Sequence, residues 1–355
     1  MKTRRIPGTT ATVVTAAIIG ATVVIPLAGC TTPRTQAGHK ASAHKATSGR
    51  NHRTGHTRAR NGSYHPKLVL GDGPLFGVFR PELPTDRRVT EWVTRTLHPE
   101  IVQIYTGFGK KFRTWSARMN YRHGAMTLVQ LDPWTVPLYR IASGKYDAYL
   151  RRYARAVARL RFRIGFSFAH EMNGTWYPWD FKKGGPDNFV AAWRRIHRIF
   201  AEMRATNVTW VWTISKLYLR DSRPIAQVTR EDWPGKRFVN WVGVDGYFRF
   251  AGEPFGRVVT PTLRLIRSIT RKPVILTETG VYPNPLRNIQ FRELFAGIRR
   301  EHLLGFIYFD ANARRKWMLH GNKVSELTWL LRHYGYKQLA CYRQRHICRP
   351  APRVM

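Results

Sequence analysis

The chain has 355 residues, of which 60 are Lys or Arg and 21 are Asp or Glu, for a formal net charge of +39. Such a basic chain raises nucleic acid as a partner, but no DNA- or RNA-binding motif is present and its first residues point to export, so nucleic acid is not expected. The three cysteines, Cys30, Cys341 and Cys348, are too few and wrongly spaced for a metal site, and neither a metal nor a cofactor is expected.

In chain order, Lys2, Arg4 and Arg5 precede an apolar run from Ala11 to Leu27, the layout of a secretory signal. The run closes on Leu27-Ala28-Gly29-Cys30, which resembles the bacterial lipoprotein box. That resemblance implies cleavage before Cys30, a lipid on Cys30 and anchorage at the outer face of the cell membrane; ordinary secretion is the alternative. Residues 1–30 are therefore read as the signal. Residues 31–65 hold no acidic side chain and hardly an apolar one, so they cannot bury enough surface to order themselves and are expected to be a basic linker. Most of the positive charge sits on the globular part, and anionic cell-wall polymers or lipid head groups are the expected contacts of that charge.

The remaining chain alternates short apolar runs with amphipathic stretches. Strands are predicted at Leu75–Phe79, Ile101–Tyr105, Met126–Leu131, Arg163–Phe168, Val208–Thr213, Val239–Val244, Val274–Thr277 and Phe306–Phe309. They are rich in Val, Ile, Leu and Phe, as strands buried on both faces must be. The clearest predicted helices are Tyr146–Leu160, Asn188–Thr206, Pro261–Ile269, Asn288–Glu301 and Ser325–Tyr334. This rhythm matches a (β/α)8 TIM barrel in one catalytic domain, residues 66–340. A doubly wound sheet is disfavoured because no Gly-rich phosphate loop follows the first strand. A basic tail, 341–355, carries Cys341 and Cys348, which could close a small disulfide loop worth about 2.5 kcal/mol in the chain-entropy model.

A barrel places its chemistry at the C-terminal strand ends. Those ends read Arg80, Tyr105-Thr106, Asp132-Pro133-Trp134, His170-Glu171, Ser215, Asp245-Gly246-Tyr247, Glu278 and Asp310-Ala311-Asn312, an acidic and aromatic ring in a basic protein. Glu171 ends the fourth strand and Glu278 the seventh. Two carboxyl groups facing one another across a barrel mouth are what glycosidic bond hydrolysis requires. Glu171, among apolar neighbours, suits the protonated role, and Tyr247 could orient Glu278 as nucleophile. Trp210 and Trp212 share one strand face and read as core. Trp134, Trp176, Trp179 and Trp317 fall in loops after strands, where an aromatic ring can stack on sugar.

Three motifs carry a resemblance: His-Glu-Met-Asn-Gly-Thr-Trp-Tyr-Pro-Trp at 170–179, Trp-Val-Gly-Val-Asp-Gly-Tyr at 241–247 and Pro-Val-Ile-Leu-Thr-Glu-Thr-Gly at 273–280. Together they resemble glycoside hydrolase family 26, a family of retaining β-mannanases. The resemblance spans roughly Leu75 to Leu331. It implies a (β/α)8 barrel and endo-acting retaining hydrolysis of a β-1,4-linked polysaccharide, mannan first; the chain is read as a monomer that needs no cofactor or metal. It makes Glu171 the acid/base and Glu278 the nucleophile, with His170, Trp176, Tyr247 and, more loosely, Trp317 lining the sugar to be cleaved. The chain departs from the family at Trp212-Thr213-Ile214-Ser215, where many relatives read Trp-Ser-Pro-Asn, and at Lys236, where Pro-Gly-Asp is usual. Both changes fall in loops at the mouth and bear on substrate rather than reaction, leaving mixed-linkage β-glucan and xylan open. A polysaccharide-binding lipoprotein without catalysis is the reading from a different class.

Overall fold

A computed structural model describes residues 74–83, 97–217, 222–312, 317–319, 327–329 and 331. Cys30, Cys341 and Cys348, with the expected signal, linker and tail, lie outside those residues. So does most of the expected helix Ser325–Tyr334, of which 327–329 are helical.

Among the described residues the strands are β1 Leu75–Phe79, β2 Ile101–Gly107, β3 Met126–Asp132, β4 Ile164–Phe168, β5 Val208–Ser215, β6 Trp241–Asp245, β7 Val274–Thr279 and β8 Gly305–Phe309. Each pairs in parallel with the next, and β8 pairs with β1 to close the barrel. The fold is the expected (β/α)8 barrel. Strands buried along their whole length explain why the apolar runs were continuous: one face meets helices, the other the barrel interior.

The described helices are α1 Thr114–Arg122, α2 Leu138–Ala142, α3 Asp147–Ala158, α4 Pro186–Glu202, α5 Ser222–Glu231, α6 Phe255–Val258, α7 Thr260–Ile269 and α8 Arg287–Arg300. In α4, Phe189, Ala192, Trp193, Ile196, Ile199 and Phe200 recur every three or four residues and are all buried, while Pro186 in the first turn needs no amide donor. Trp210 and Trp212 point outward into the same helix-facing core, as their spacing predicted.

The interior is layered, and the layers prepare the site. Leu75, Ile101, Met126, Leu128, Val211, Trp241, Ile275 and Ile307 form an apolar plug. Two residues further along the strands stand buried Gln103, Gln130, Ser167, Thr213 and Thr277, a polar floor in which Ser167 donates to Thr213 at 3.0 Å. Two residues further still, the period of the strand delivers Tyr105, Asp132 and Ser215 to the mouth, and Asp245 stands four residues beyond Trp241 of the plug. The β6–β7 register shifts between Val244 and Asp245, and the β7–β8 register between Leu276 and Thr279. These irregularities bracket Glu278, in keeping with the way bulges re-aim side chains at barrel rims.

Candidate active site

The first carboxylate stands on a strained corner. Beyond β4, Ala169 and Glu171 have φ of 50° and 52°, a left-handed conformation that non-glycine residues seldom adopt. The corner is held from several sides. Ala169 N donates to Leu131 O at 3.1 Å, Glu171 N to Thr213 O at 3.0 Å, and the Trp179 indole to His170 O at 2.7 Å. Asn173 ties the following loop to the end of β5, accepting from Ser215 N at 2.9 Å and donating to Ser215 O at 3.1 Å. Trp176 then folds back so that its indole donates to Glu171 Oε2 at 2.8 Å. That fold requires glycine at 174, since a Cβ there would stand 2.6 Å from the Trp176 ring.

Burial, then the charge of Glu278, pushes the Glu171 carboxyl up to about 7, against the opposing pull of His170 and the donors Trp176 and Ser215. A carboxyl raised this far can both give and take a proton near neutral pH.

The second carboxylate is held oxygen by oxygen. Tyr105 donates to Glu278 Oε1, and Tyr247 donates to Oε2 at 2.5 Å. Gln103 donates its amide to the Tyr105 oxygen at 2.6 Å, which leaves that phenol its own proton to spend on Glu278. Burial, then the Glu278 charge, pushes both phenols well above their ordinary range, so they remain donors.

His170 lies between the two acids. Its Nδ1 is 2.9 Å from Asp132 Oδ1, its Nε2 3.2 Å from the Tyr177 hydroxyl and 3.8 Å from Glu278 Oε1. Burial alone would lower its pKa. The hydrogen-bonded Asp132, with Glu278 and Asp245, outweighs that and lifts it to about 10. His170 is thus an imidazolium, a fixed positive charge beside the nucleophile. Asp245 stands on the floor beneath them, 1% exposed, accepting from Thr277 at 2.7 Å. Burial first, then Glu278 and Glu171, raise its carboxyl well above the usual range. His170, Glu171 and Asp245 each bring a ligand-type atom within 4.8 Å of the others. Protonated His170 spends both ring nitrogens as donors and has no lone pair to offer a cation.

The predicted aromatic residues separate into two groups. Trp176, Tyr247 and Trp317 belong to the mouth, with Trp317 packed on Tyr247 at 4.7 Å between ring centres. Gly280 makes room for that pair, because a Cβ would lie 3.1 Å from Trp317 and 3.3 Å from Tyr247. Trp179 does not stand in the open. It is 1% exposed and stacked on Tyr177 at 4.4 Å, with partly buried Trp134 edge-on against it at 4.9 Å. Trp179 thus buttresses the His170 corner and is not an open platform for a sugar. The sequence reading gave no role to Tyr105, Asp132, Asn173, Tyr177 or Asp245. For Tyr105, Asp132 and Asp245 the signal was available: they are the inward positions at strand ends.

Residues 144–280 match the family described as glycosyl hydrolase family 26. Endoglucanase H of Acetivibrio thermocellus is 26% identical over 218 residues, 57% of this chain and 23% of that protein, so the chain spans about a quarter of its length. A family 26 β-mannanase of Bacteroides ovatus superposes with a TM-score of 0.56 at 17% identity, over 78% of this chain and 94% of that one. A modular endo-β-1,4-mannanase of Cellulomonas fimi gives 0.57 at 18% identity, over 73% and 70%. At such identities the structural likeness is one of fold.

Proposed function

We propose that the chain, whose residues 144–280 match glycosyl hydrolase family 26, is a retaining endo-β-glycosidase acting on a β-1,4-linked polysaccharide, mannan first. The observation that carries the reading is the pairing of two unlike carboxyls: Glu171 raised to about 7, and Glu278 gripped by two phenols.

In the first step a Glu278 oxygen attacks the anomeric carbon, the glycosidic C–O bond breaks, and the leaving oxygen takes the proton of Glu171. Glu278 is then an uncharged ester, and the charge that helped to raise Glu171 is gone. The Glu171 carboxyl falls toward its ordinary range and becomes a base. It removes a proton from water, which attacks the same carbon and frees the Glu278 carboxylate. One water is consumed and the configuration is retained. Imidazolium His170 and the two phenols need not move, so their stabilisation is in place before charge develops.

Mixed-linkage β-glucan is the second reading, favoured by the likeness to Endoglucanase H. Attachment to the outer face of a membrane through lipid on Cys30 belongs to the same proposal, its support being the sequence Leu27-Ala28-Gly29-Cys30.

The test is product release from mannan, glucomannan, mixed-linkage glucan and xylan by the full chain and its Glu278→Ala variant. Activity on one polymer, reduced at least about a thousandfold by the substitution, is expected. A folded protein inactive on every polymer would sink the hydrolase reading in favour of a binding protein.

A further inference from the structure

The rim above the nucleophile spends buried polar side chains on holding an exposed aromatic ring still. Phe250 is 62% exposed, three residues beyond Tyr247. Its backbone is nevertheless fixed at both polar groups. Its amide donates to Glu253 Oε2 at 3.0 Å, and its carbonyl accepts from Gln290 Nε2 at 2.8 Å. Glu253 and Gln290 are 8% and 1% exposed, and Glu253 also takes Arg249 N at 2.6 Å. Buried Glu253 on the loop and Gln290 on α8 thus fix the backbone under an exposed ring.

The rim is continuous with the catalytic floor. Phe248 and Val281 pair in parallel beyond the strand ends, and Tyr282 N donates to Phe248 O at 3.0 Å, so the loops after β6 and β7 rise together. Tyr282 meets Trp317 edge-on at 6.2 Å, Trp317 lies on Tyr247, and Tyr247 holds Glu278. Leu286, 41% exposed, packs near Gly252 and widens the apolar surface.

We infer that Phe250 and Tyr282 form a sugar-binding platform outside the pair of sugars flanking the cleaved bond, and that its occupant is a distal pyranose of the bound polysaccharide. The inference rests on the hydrolase reading above. The apolar face of a pyranose matches an aromatic ring, and a ring with two torsions on a pinned backbone loses little freedom on binding. The contacts Glu278–Tyr247–Trp317–Tyr282 tie that rim to the nucleophile.

The experiment uses the full chain carrying Glu278→Gln, so that binding is measured without turnover, by affinity electrophoresis in gels containing galactomannan, glucomannan or mixed-linkage glucan. Adding Phe250→Ala should weaken binding about tenfold to the polymer that the parent retains, and Phe250→Tyr should restore it. Binding by Phe250→Ala within twofold of the parent would overturn the platform. So would equal loss in Phe250→Tyr, or a loss accompanied by a fall of more than about 3 °C in the unfolding midpoint, which would mark a structural role. If Glu278→Gln binds none of the polymers and the unsubstituted chain cleaves none, the hydrolase reading fails and the platform falls with it. A parent that binds while Phe250→Ala binds equally well fails the platform alone.

Discussion

At the end of β4, Glu171 meets two hydrogen-bond donors, Trp176 and Ser215, yet burial and a neighbouring negative charge still push its carboxyl up to about 7. At the end of β7, Glu278 has a phenol on each oxygen and the His170 imidazolium 3.8 Å away. The side chains are chemically identical, so their difference comes wholly from what faces them. Burial and a neighbouring negative charge raise Glu171 in spite of its donors, whereas Glu278 is aimed by a phenol on each oxygen. The backbone differs in the same sense. Glu171 sits in a left-handed corner with φ of 52°, whereas Glu278 is part of a strand, aimed by register shifts on either side.

Replacing the acid breaks this division most sharply. Glu171→Gln should reduce polymer cleavage about 10²- to 10⁴-fold, the range expected for loss of a general acid–base. On an aryl glycoside, whose phenolate leaves without protonation, glycosylation should be spared and deglycosylation should become limiting. A burst of aryl alcohol equal to the enzyme concentration would report it. Equal loss on both substrates, with no burst, would remove Glu171 from the acid role. In the unsubstituted protein, kcat/KM should fall as pH rises through about 7, because the form needed for the first step is the protonated one.

The other half of the comparison depends on Tyr105. If the nucleophile's two oxygens are held independently, Tyr105→Phe and Tyr247→Phe should each lower kcat about 10- to 100-fold, the worth of one hydrogen bond to a charged group. Gln103→Leu, which leaves the Tyr105 phenol in place but removes the donor behind it, should act in the same direction and less. Steady-state rates on the preferred polymer decide this. A Tyr105→Phe variant within twofold of the parent would leave Tyr247 as the sole positioning donor.

The barrel was legible because its strands are apolar on both faces, and β1 was read to the residue. Boundaries slipped where pairing continues through polar residues: β2 runs to Gly107 because Gly107 pairs with Asp132, and neither looks like strand in isolation. Helix α1 was not foreseen. It buries Ser116, Ala117 and Asn120, so it carries no apolar period to find. Glu171 and Glu278 stood out as acids ending apolar runs. Which of Trp176, Tyr177 and Trp179 faces the mouth was not legible, because it depends on the turn at Gly174 and on stacking of Tyr177 upon Trp179. Tyr105 was read as a strand end, but its partner is 173 residues away, a contact that only barrel closure creates.

Asp232 separates burial from the other causes that act on Glu171. It follows α5, is 1% exposed, and among the described residues neither oxygen has a hydrogen-bond partner. Burial, with a lesser contribution from Glu231, raises its carboxyl to about 8. Between the ordinary carboxylate range and about 8 the folded protein therefore holds a proton that the unfolded chain has released. The folded state binds more protons in that window, so stability must fall as pH rises through it. Asparagine is neutral throughout and removes this slope. Asp232→Asn should melt together with the parent near pH 4 and about 10 °C above it at pH 8, with the gap opening progressively between. Calorimetric midpoints across that range measure it. A gap constant with pH would mean that the substitution acts through packing, and that desolvation alone does not raise a carboxyl in this barrel.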